Sequence, residues 1–208
     1  MLCMGVTCYI LRHAEKEGGD FFSPRLRHQD QPISQRGRLQ GKRLAPYFLQ
    51  RRIDAIYVSE YQRTWQTIEA VAEQRELAPI IDSRLNEIDN GRLDGMDAAT
   101  VQQEYPELWR AIVARSADYR FPDGETGAEA LQRIVSFVEE KRRQHSGENI
   151  LVVSHDGLIR QFMCHLFDLP VFLRADFRVD LCGLMEITYQ PDYGSWKLIH
   201  FNQVFDGV

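Results

Sequence analysis

Short apolar runs alternate along this chain with segments of helical periodicity, and this alternation limits the folds open to it. The strand-like runs are at residues 6–11, 54–58, 79–82 and 150–154. The segments with helical spacing of apolar residues or helix-start signals cover residues 34–52, 62–75, 126–145 and 158–167. Two alternating runs, 184–189 and 196–201, predict a terminal hairpin. The pattern predicts an α/β fold: a three-layer α/β/α sandwich whose mostly parallel sheet has helices on both faces.

The size and charge of the chain favour one globular domain. Its 208 residues can build one sizeable core, so we expect a single domain, 1–208, with a small cap formed by inserted segments 16–32 and 91–123. The net charge of -5 disfavours a nucleic-acid binder, because such proteins usually carry a basic face. No apolar run approaches the roughly 18 residues that span a bilayer, which predicts no membrane association. The N-terminus lacks the basic region of a signal peptide, so we expect a cytoplasmic protein.

The cysteines do not predict a metal site. The four are Cys3, Cys8, Cys164 and Cys182, and their spacing matches no usual set of metal ligands. Cys8, Cys164 and Cys182 lie in apolar contexts, which predicts small buried side chains.

Two histidines follow two of the predicted strands. Arg12 and His13 come directly after the first apolar run, and His155 comes after the run at residues 150–154. Ligands of open α/β sheets bind at the carboxyl ends of the strands. A histidine there can act as a nucleophile, and a neighbouring guanidinium can hold a phosphoryl oxygen. Each histidine alone would be a weak signal, but their matching positions strengthen it.

Four segments together resemble one family. They are Leu11-Arg12-His13-Ala14-Glu15, Ser59-Glu60-Tyr61-Gln62-Arg63, Leu85-Asn86-Glu87 and Ser154-His155-Asp156-Gly157. Their order and spacing, with the segments 32–40 and 122–125, resemble the histidine phosphatase (phosphoglycerate mutase-like) superfamily, on its phosphatase branch. Ala14 and Asp156 stand where many members of the family have glycine.

The resemblance implies a role for five residues. His13 matches the phosphate acceptor, and Arg12, Arg63 and His155 match the groups that hold the phosphoryl oxygens. Glu87 matches the acid that protonates the leaving group, while Glu15 is a lesser candidate for that role. No metal or cofactor is expected, because the arginines and His155 supply the positive charge that phosphoryl transfer needs.

Further residues are placed near the substrate with less support. Gln35 and Gly37 match the family's early phosphate-side loop, so we expect them to bind substrate. Ser59 either reaches the site or caps a helix. The amides that begin the helix after His155 are expected to point at the anion. Asp156 either orients His155 or repels phosphate, and Phe21 and Phe22 either line a pocket mouth or pack a loop.

The activity expected from the resemblance is hydrolysis of a small phosphomonoester, without a metal, through a phosphohistidine on His13. A cofactor-dependent phosphoglycerate mutase is the alternative, and a weakly active module that binds phosphorylated ligands is a lesser one. The stretch from Glu87 to His155 is compact and holds few basic residues, which favours the phosphatase. The expected partner is a small phosphorylated substrate, and the oligomeric state is not predicted.

Overall fold

A six-stranded sheet forms the centre of the protein. The computed structural model describes residues 5–205. The strands of this sheet are β1 (Thr7–Arg12), β4 (Ala55–Val58), β5 (Ile80–Ile81), β6 (Asn149–Ser154), β7 (Leu184–Gln190) and β8 (Ser195–Gln203). Their order is β5-β4-β6-β1-β7-β8; the pairs from β5 to β1 are parallel, and the two pairs made by β7 are antiparallel. The mostly parallel sheet and the terminal hairpin are therefore confirmed.

Helices cover both faces of the sheet, as predicted. They are α1 (Gln35–Leu49), α2 (Gln62–Arg75), α3 (Ala98–Glu104), α4 (Pro106–Ala114), α5 (Gly127–Gln144) and α6 (Asp156–Leu166). Alternate residues of β1 enter different cores: Tyr9 and Leu11 pack with residues of α1 and α2, while Cys8 and Ile10 pack with residues of α5 and α6. Burial on both faces explains why β1 reads as a continuous apolar run.

The helix starts follow local chemistry. The side chain of Ser34 caps α1 by accepting from the amide of Gly37. Thr126 and Glu129 form a capping box at α5, in which each side chain accepts from the other residue's amide. Helix α2 differs from the expectation, because its N-cap is Tyr61 and not Ser59.

The first inserted segment contains more order than its sequence indicates. Within residues 16–32, β2 (Phe22–Ser23) and β3 (His28–Gln29) form a two-stranded antiparallel hairpin. The amide of Gln29 donates to Asp94 Oδ2 at 2.6 Å, which ties this hairpin to the second inserted segment. Phe21 and Phe22 are exposed and lie outside the cavity described below, so they do not line its mouth.

Two other sequence expectations concern burial and membranes. Cys8, Cys164 and Cys182 are buried and free, as predicted, and Cys3 lies outside the described residues. Between residues 5 and 205, no helix is long and apolar enough to cross a membrane.

Candidate active site

The two histidines meet because their strands are neighbours in the sheet. β1 and β6 pair in parallel, with Arg12 opposite Ser154, so the residues that follow both strands emerge at the same edge. The rings of His13 and His155 lie edge to face, with their centroids 5.1 Å apart. The amide of His13 donates to the carbonyl of Ser154 at 3.0 Å, which extends the pairing by one step.

A backbone contact sets the tautomer of His13. Its Nδ1 lies 2.7 Å from the carbonyl oxygen of Ala14. A carbonyl can only accept, so Nδ1 carries the proton and Nε2 keeps its lone pair. Burial, followed by the charge of Arg63, lowers the pKa of His13 well below its usual value. The ring is therefore held neutral, which is the state that a nucleophile requires.

Thr67 on α2 holds the turn that carries His13. The amide of Ala14 donates to Thr67 Oγ1 at 2.8 Å, and this hydroxyl donates to the carbonyl of Arg63 at 2.7 Å. Both groups are buried, so loss of either bond would leave an unpaired polar atom. Thr67 was not among the residues predicted for the site; its spacing one helical turn after Arg63 is the signal that could have pointed to it.

Two arginines line the cavity beside His13. Arg63 is only 5% exposed, its guanidinium carbon lies 4.2 Å from the centre of the Tyr61 ring, and Asp30 lies 4.0 Å from its Nη1. Arg12 donates from Nη1 to the carbonyl of Val179 at 2.5 Å. Within residues 5–205, neither Nε atom has a hydrogen-bond partner, so both arginines retain donor capacity for an anion.

Ser59 binds the second histidine. Its Oγ lies 2.8 Å from Nε2 of His155 and also accepts from the amide of Tyr61. Nδ1 of His155 is buried and has no partner among the described residues. Burial, then the charges of Arg63 and His13, lowers the pKa of His155 well below its usual value. Ser59 therefore orients the ring, and the expectation that it caps α2 is wrong.

The side chain of Glu87 lies against the first turn of α6. Its carboxylate accepts from the amides of Gly157 at 3.2 Å and Leu158 at 3.1 Å, and from its neighbour Ile88 at 2.9 Å. These helix amides were expected to face the anion, but they face Glu87 instead. Burial raises the pKa of Glu87, although the amides of Ile88 and Gly157 oppose the change.

These side chains surround a cavity of about 220 Å³. Arg12, His13, Arg63 and Glu87 line it directly, and His155 lies behind His13. The lining also contains Asp156, whose role the sequence left open, and residues that were not predicted for the site, namely Lys16, His28, Gln29, Tyr61, Ile88, Asn90 and Asp94. Most of these residues lie on the two inserted segments or in the loops beside them. The sequence of those segments contains no local pattern that places their side chains at the cavity.

Three residues considered in the sequence analysis lie elsewhere. Gln35 is exposed and outside the cavity lining. Gly37 is buried against the backbone of Glu15, where a Cβ would meet the carbonyl oxygen at 2.2 Å. The carboxylate of Glu15 accepts from Ser34 Oγ at 2.8 Å and pairs with Arg36 on α1. The structure therefore does not bring Gln35, Gly37 or the Glu15 carboxylate to the candidate site.

Asp156 is paired with arginines. Its Oδ1 lies 2.8 Å from Nε of Arg160 and 3.9 Å from Nη1 of Arg12. The carboxylate therefore pairs with Arg160, lies near Arg12 and does not orient His155, which excludes one of the two roles that the sequence left open. In the described part of the chain, no group of three or more His, Cys, Asp or Glu side chains is arranged to hold a metal ion.

Comparisons with known proteins agree with this geometry. Phosphoserine phosphatase 1 of Hydrogenobacter thermophilus is 35% identical over 201 residues, which cover 95% of this chain and 88% of that protein. A protein of Escherichia coli named probable phosphoglycerate mutase GpmB is 27% identical, over 88% of this chain and 84% of its own. The crystal structure of the alpha-ribazole phosphatase from Shigella flexneri matches with a TM-score of 0.78 and 25% identity, over 97% of this chain and 98% of that one. A family model described as histidine phosphatase superfamily (branch 1) matches residues 8–203. The match spans nearly the whole chain and includes both histidines at the sheet edge, and this chain therefore belongs to the histidine phosphatase superfamily.

Proposed function

We propose that this chain hydrolyses small phosphomonoesters through a phosphohistidine formed on Nε2 of His13. The observation that carries the proposal is the contact between His13 Nδ1 and the carbonyl of Ala14. It leaves Nε2 with the only free lone pair of the ring, in a cavity that two arginines line. Membership of the superfamily and the phosphatase at 35% identity support the same activity.

The first step transfers the phosphoryl group to the enzyme. Nε2 of His13 attacks phosphorus as the bond to the ester oxygen breaks. Arg12 and Arg63 neutralise the charge on the equatorial oxygens, which is the main demand of a phosphoryl transition state. Glu87, whose pKa is raised by burial, gives its proton to the departing alkoxide. The products of this step are the free alcohol and phospho-His13.

The second step returns the enzyme to its starting state. A water molecule attacks phosphorus, the bond to Nε2 breaks, and inorganic phosphate leaves. Glu87 is now a carboxylate and takes a proton from the water, so the same group serves as acid and then as base. His155, held at Nε2 by Ser59, packs edge to face against the ring of His13 from outside the cavity lining, so in this step it supports the nucleophile.

The first substrate to examine is L-phosphoserine. The phosphatase at 35% identity is named for that ester. The cavity of about 220 Å³ is smaller than the roughly 300–1,000 Å³ typical of sites for drug-sized ligands, which favours a short alcohol portion. Lys16 and Asp94 line the same cavity and offer opposite charges to the carboxylate and ammonium groups of such a substrate.

The test is hydrolysis of para-nitrophenyl phosphate with excess EDTA, followed by a panel led by L-phosphoserine. We expect turnover by the wild type and its loss in His13→Ala, with His200→Ala as the matched control because His200 is an exposed residue of β8. Rapid quenching with labelled substrate should trap an acid-labile phosphoenzyme in the wild type only. Appreciable activity in His13→Ala would refute the mechanism.

Phosphoglycerate mutase activity is the second candidate, supported by the relative at 27% identity that carries this name. A mutase passes the phosphoryl group to a second hydroxyl group and not to water. Exchange between 2- and 3-phosphoglycerate that depends on 2,3-bisphosphoglycerate and exceeds the release of phosphate would favour it. Absence of both activities would favour a module that only binds phosphorylated ligands.

A further inference from the structure

Three cavities adjoin one another at the side chain of His28. The first is the candidate active site, of about 220 Å³. The second, of about 340 Å³, lies behind Glu87 and Tyr61 and is lined by Arg25, Asn86 and Arg133 among others. The third, of about 280 Å³, lies beside Arg92 and Asp123. Among the described residues, His28 alone lines all three.

The ring of His28 is held in place from two sides. Its Nε2 lies 3.3 Å from Asp89 Oδ1, and its Nδ1 lies 3.4 Å from Asp94 Oδ2. The side chain is 17% exposed. Its backbone belongs to the β2–β3 hairpin, and the next residue, Gln29, donates its amide to the same oxygen of Asp94. The contacts with Asp94 and Asp89 raise the pKa of His28. The protonated ring donates to both carboxylates and makes a firm partition, because it cannot turn aside without breaking two contacts.

We propose that His28 is a specificity-determining residue whose ring confines the alcohol portion of the substrate to the first cavity. The inference rests on the proposed phosphatase function and adds a size limit to it. Short phosphomonoesters fit beside the arginines, whereas longer ones meet the ring before their phosphate reaches His13. The second cavity is lined by charged and amide side chains, so a hydrophilic alcohol could enter it once the ring is removed.

The experiment compares two esters of primary alcohols, glycerol 3-phosphate and adenosine 5′-monophosphate. Their leaving groups have similar intrinsic reactivity, so the ratio of their kcat/KM values reports on fit. We expect His28→Gly to raise the ratio of nucleotide to glycerol ester by about tenfold or more, mainly through a lower KM for the nucleotide. His28→Ala should give a smaller rise.

Two controls separate size from other effects. His28→Gln keeps a polar side chain of comparable length and should leave the ratio within about threefold of the wild type. His200→Ala should leave it unchanged. A general loosening of the site would lower both kcat/KM values together and would not change the ratio.

The failure of this inference can be told from the failure of the proposed function. If the wild type hydrolyses para-nitrophenyl phosphate through His13 but His28→Gly and His28→Ala leave the ratio unchanged, the specificity role is refuted and the phosphatase stands. If the wild type hydrolyses no phosphomonoester, both fall. Circular dichroism and the thermal midpoint of each variant establish that the compared proteins are folded.

Discussion

At the scale of single residues, the site depends on two groups whose pKa values are shifted in the directions that the chemistry needs. Burial and the charge of Arg63 lower the pKa of His13, so the ring stays neutral at lower pH than an exposed histidine. Burial raises the pKa of Glu87, so the carboxyl stays protonated at higher pH than an exposed glutamic acid. Nucleophile and acid are thus both ready on the acid side of neutrality.

The pH dependence of kcat/KM for L-phosphoserine should reflect these shifts. Activity rises as pH increases through the lowered pKa of His13, because only the neutral ring attacks. Activity falls as pH increases through the raised pKa of Glu87, because the leaving alkoxide needs a proton. We therefore expect an optimum below neutral pH, measured as initial rates across a pH series at constant ionic strength.

Glu87→Gln provides the control for this profile. The variant cannot supply the proton, so it should lose most of its activity on L-phosphoserine and also the alkaline fall of the profile. Para-nitrophenyl phosphate leaves as a stable phenolate, and its hydrolysis should be slowed far less. An alkaline fall that persists in the variant would show that another group titrates there.

At the scale of secondary-structure elements, the first turn of α1 packs against the backbone of Glu15, just after β1. Gly37 allows this close approach because it has no side chain. A Cβ on Gly37 would lie 2.2 Å from the carbonyl oxygen of Glu15, so this turn must move if the side chain grows. We expect Gly37→Ala to lower the free energy of unfolding by about 2 kcal/mol, as overpacking in tight sites does. Urea titration measures the change.

Gly18→Ala is the control for Gly37→Ala, because it makes the same substitution at a glycine of the first inserted segment. A Cβ on Gly18 meets nothing within 4 Å, and its backbone does not need a positive φ. The substitution should be neutral or stabilise by about 0.5 kcal/mol, because it restricts the unfolded chain. Equal losses in both variants would contradict the packing role of Gly37. A loss of activity in Gly37→Ala with unchanged stability would instead support the role in substrate binding that the sequence predicted for Gly37.

The sequence predicted the elements better than it predicted the cavity. Periodicity and capping residues located the main strands and helices, because those signals are local. The resemblance named Arg12, His13, Arg63, Glu87 and His155, and the structure brings four of them to the cavity wall, with His155 directly behind.

The cavity residues that the sequence did not predict depend on contacts between distant segments of the chain. The hairpin β2–β3 and Asp94 meet only after folding, so no local pattern marks His28 or Asp94 as part of the site. The same limit explains Gln35 and Gly37, which the family resemblance placed beside the phosphate but which begin α1 outside the cavity lining. Ser59 was ambiguous because the same hydroxyl suits a cap and a histidine partner.

At the scale of the whole molecule, β1 joins the two ends of the chain. It pairs with β6 on one side and with β7 on the other, so the sheet cannot form from either half alone. The second inserted segment belongs to the same core, since Trp109 on α4 is partly buried against it. We propose that the chain, inserted segments included, unfolds as one cooperative domain.

Single-tryptophan variants test this proposal. Trp65→Phe with Trp196→Phe leaves Trp109 as a reporter of the inserted segment, and Trp65→Phe with Trp109→Phe leaves Trp196 on β8. In each variant we expect urea transitions followed by fluorescence and by far-ultraviolet circular dichroism to coincide, because the shared sheet joins both cores and leaves no part to unfold first. Comparing two signals within one protein matters, since Trp196 donates to Glu139 at 3.2 Å and its replacement lowers stability by itself. A fluorescence midpoint of Trp109 below the circular dichroism midpoint of the same variant would show that the inserted segment unfolds independently. The partition formed by the His28 ring, which contacts Asp94 of that segment, would then depend on a separate and less stable unit of the fold.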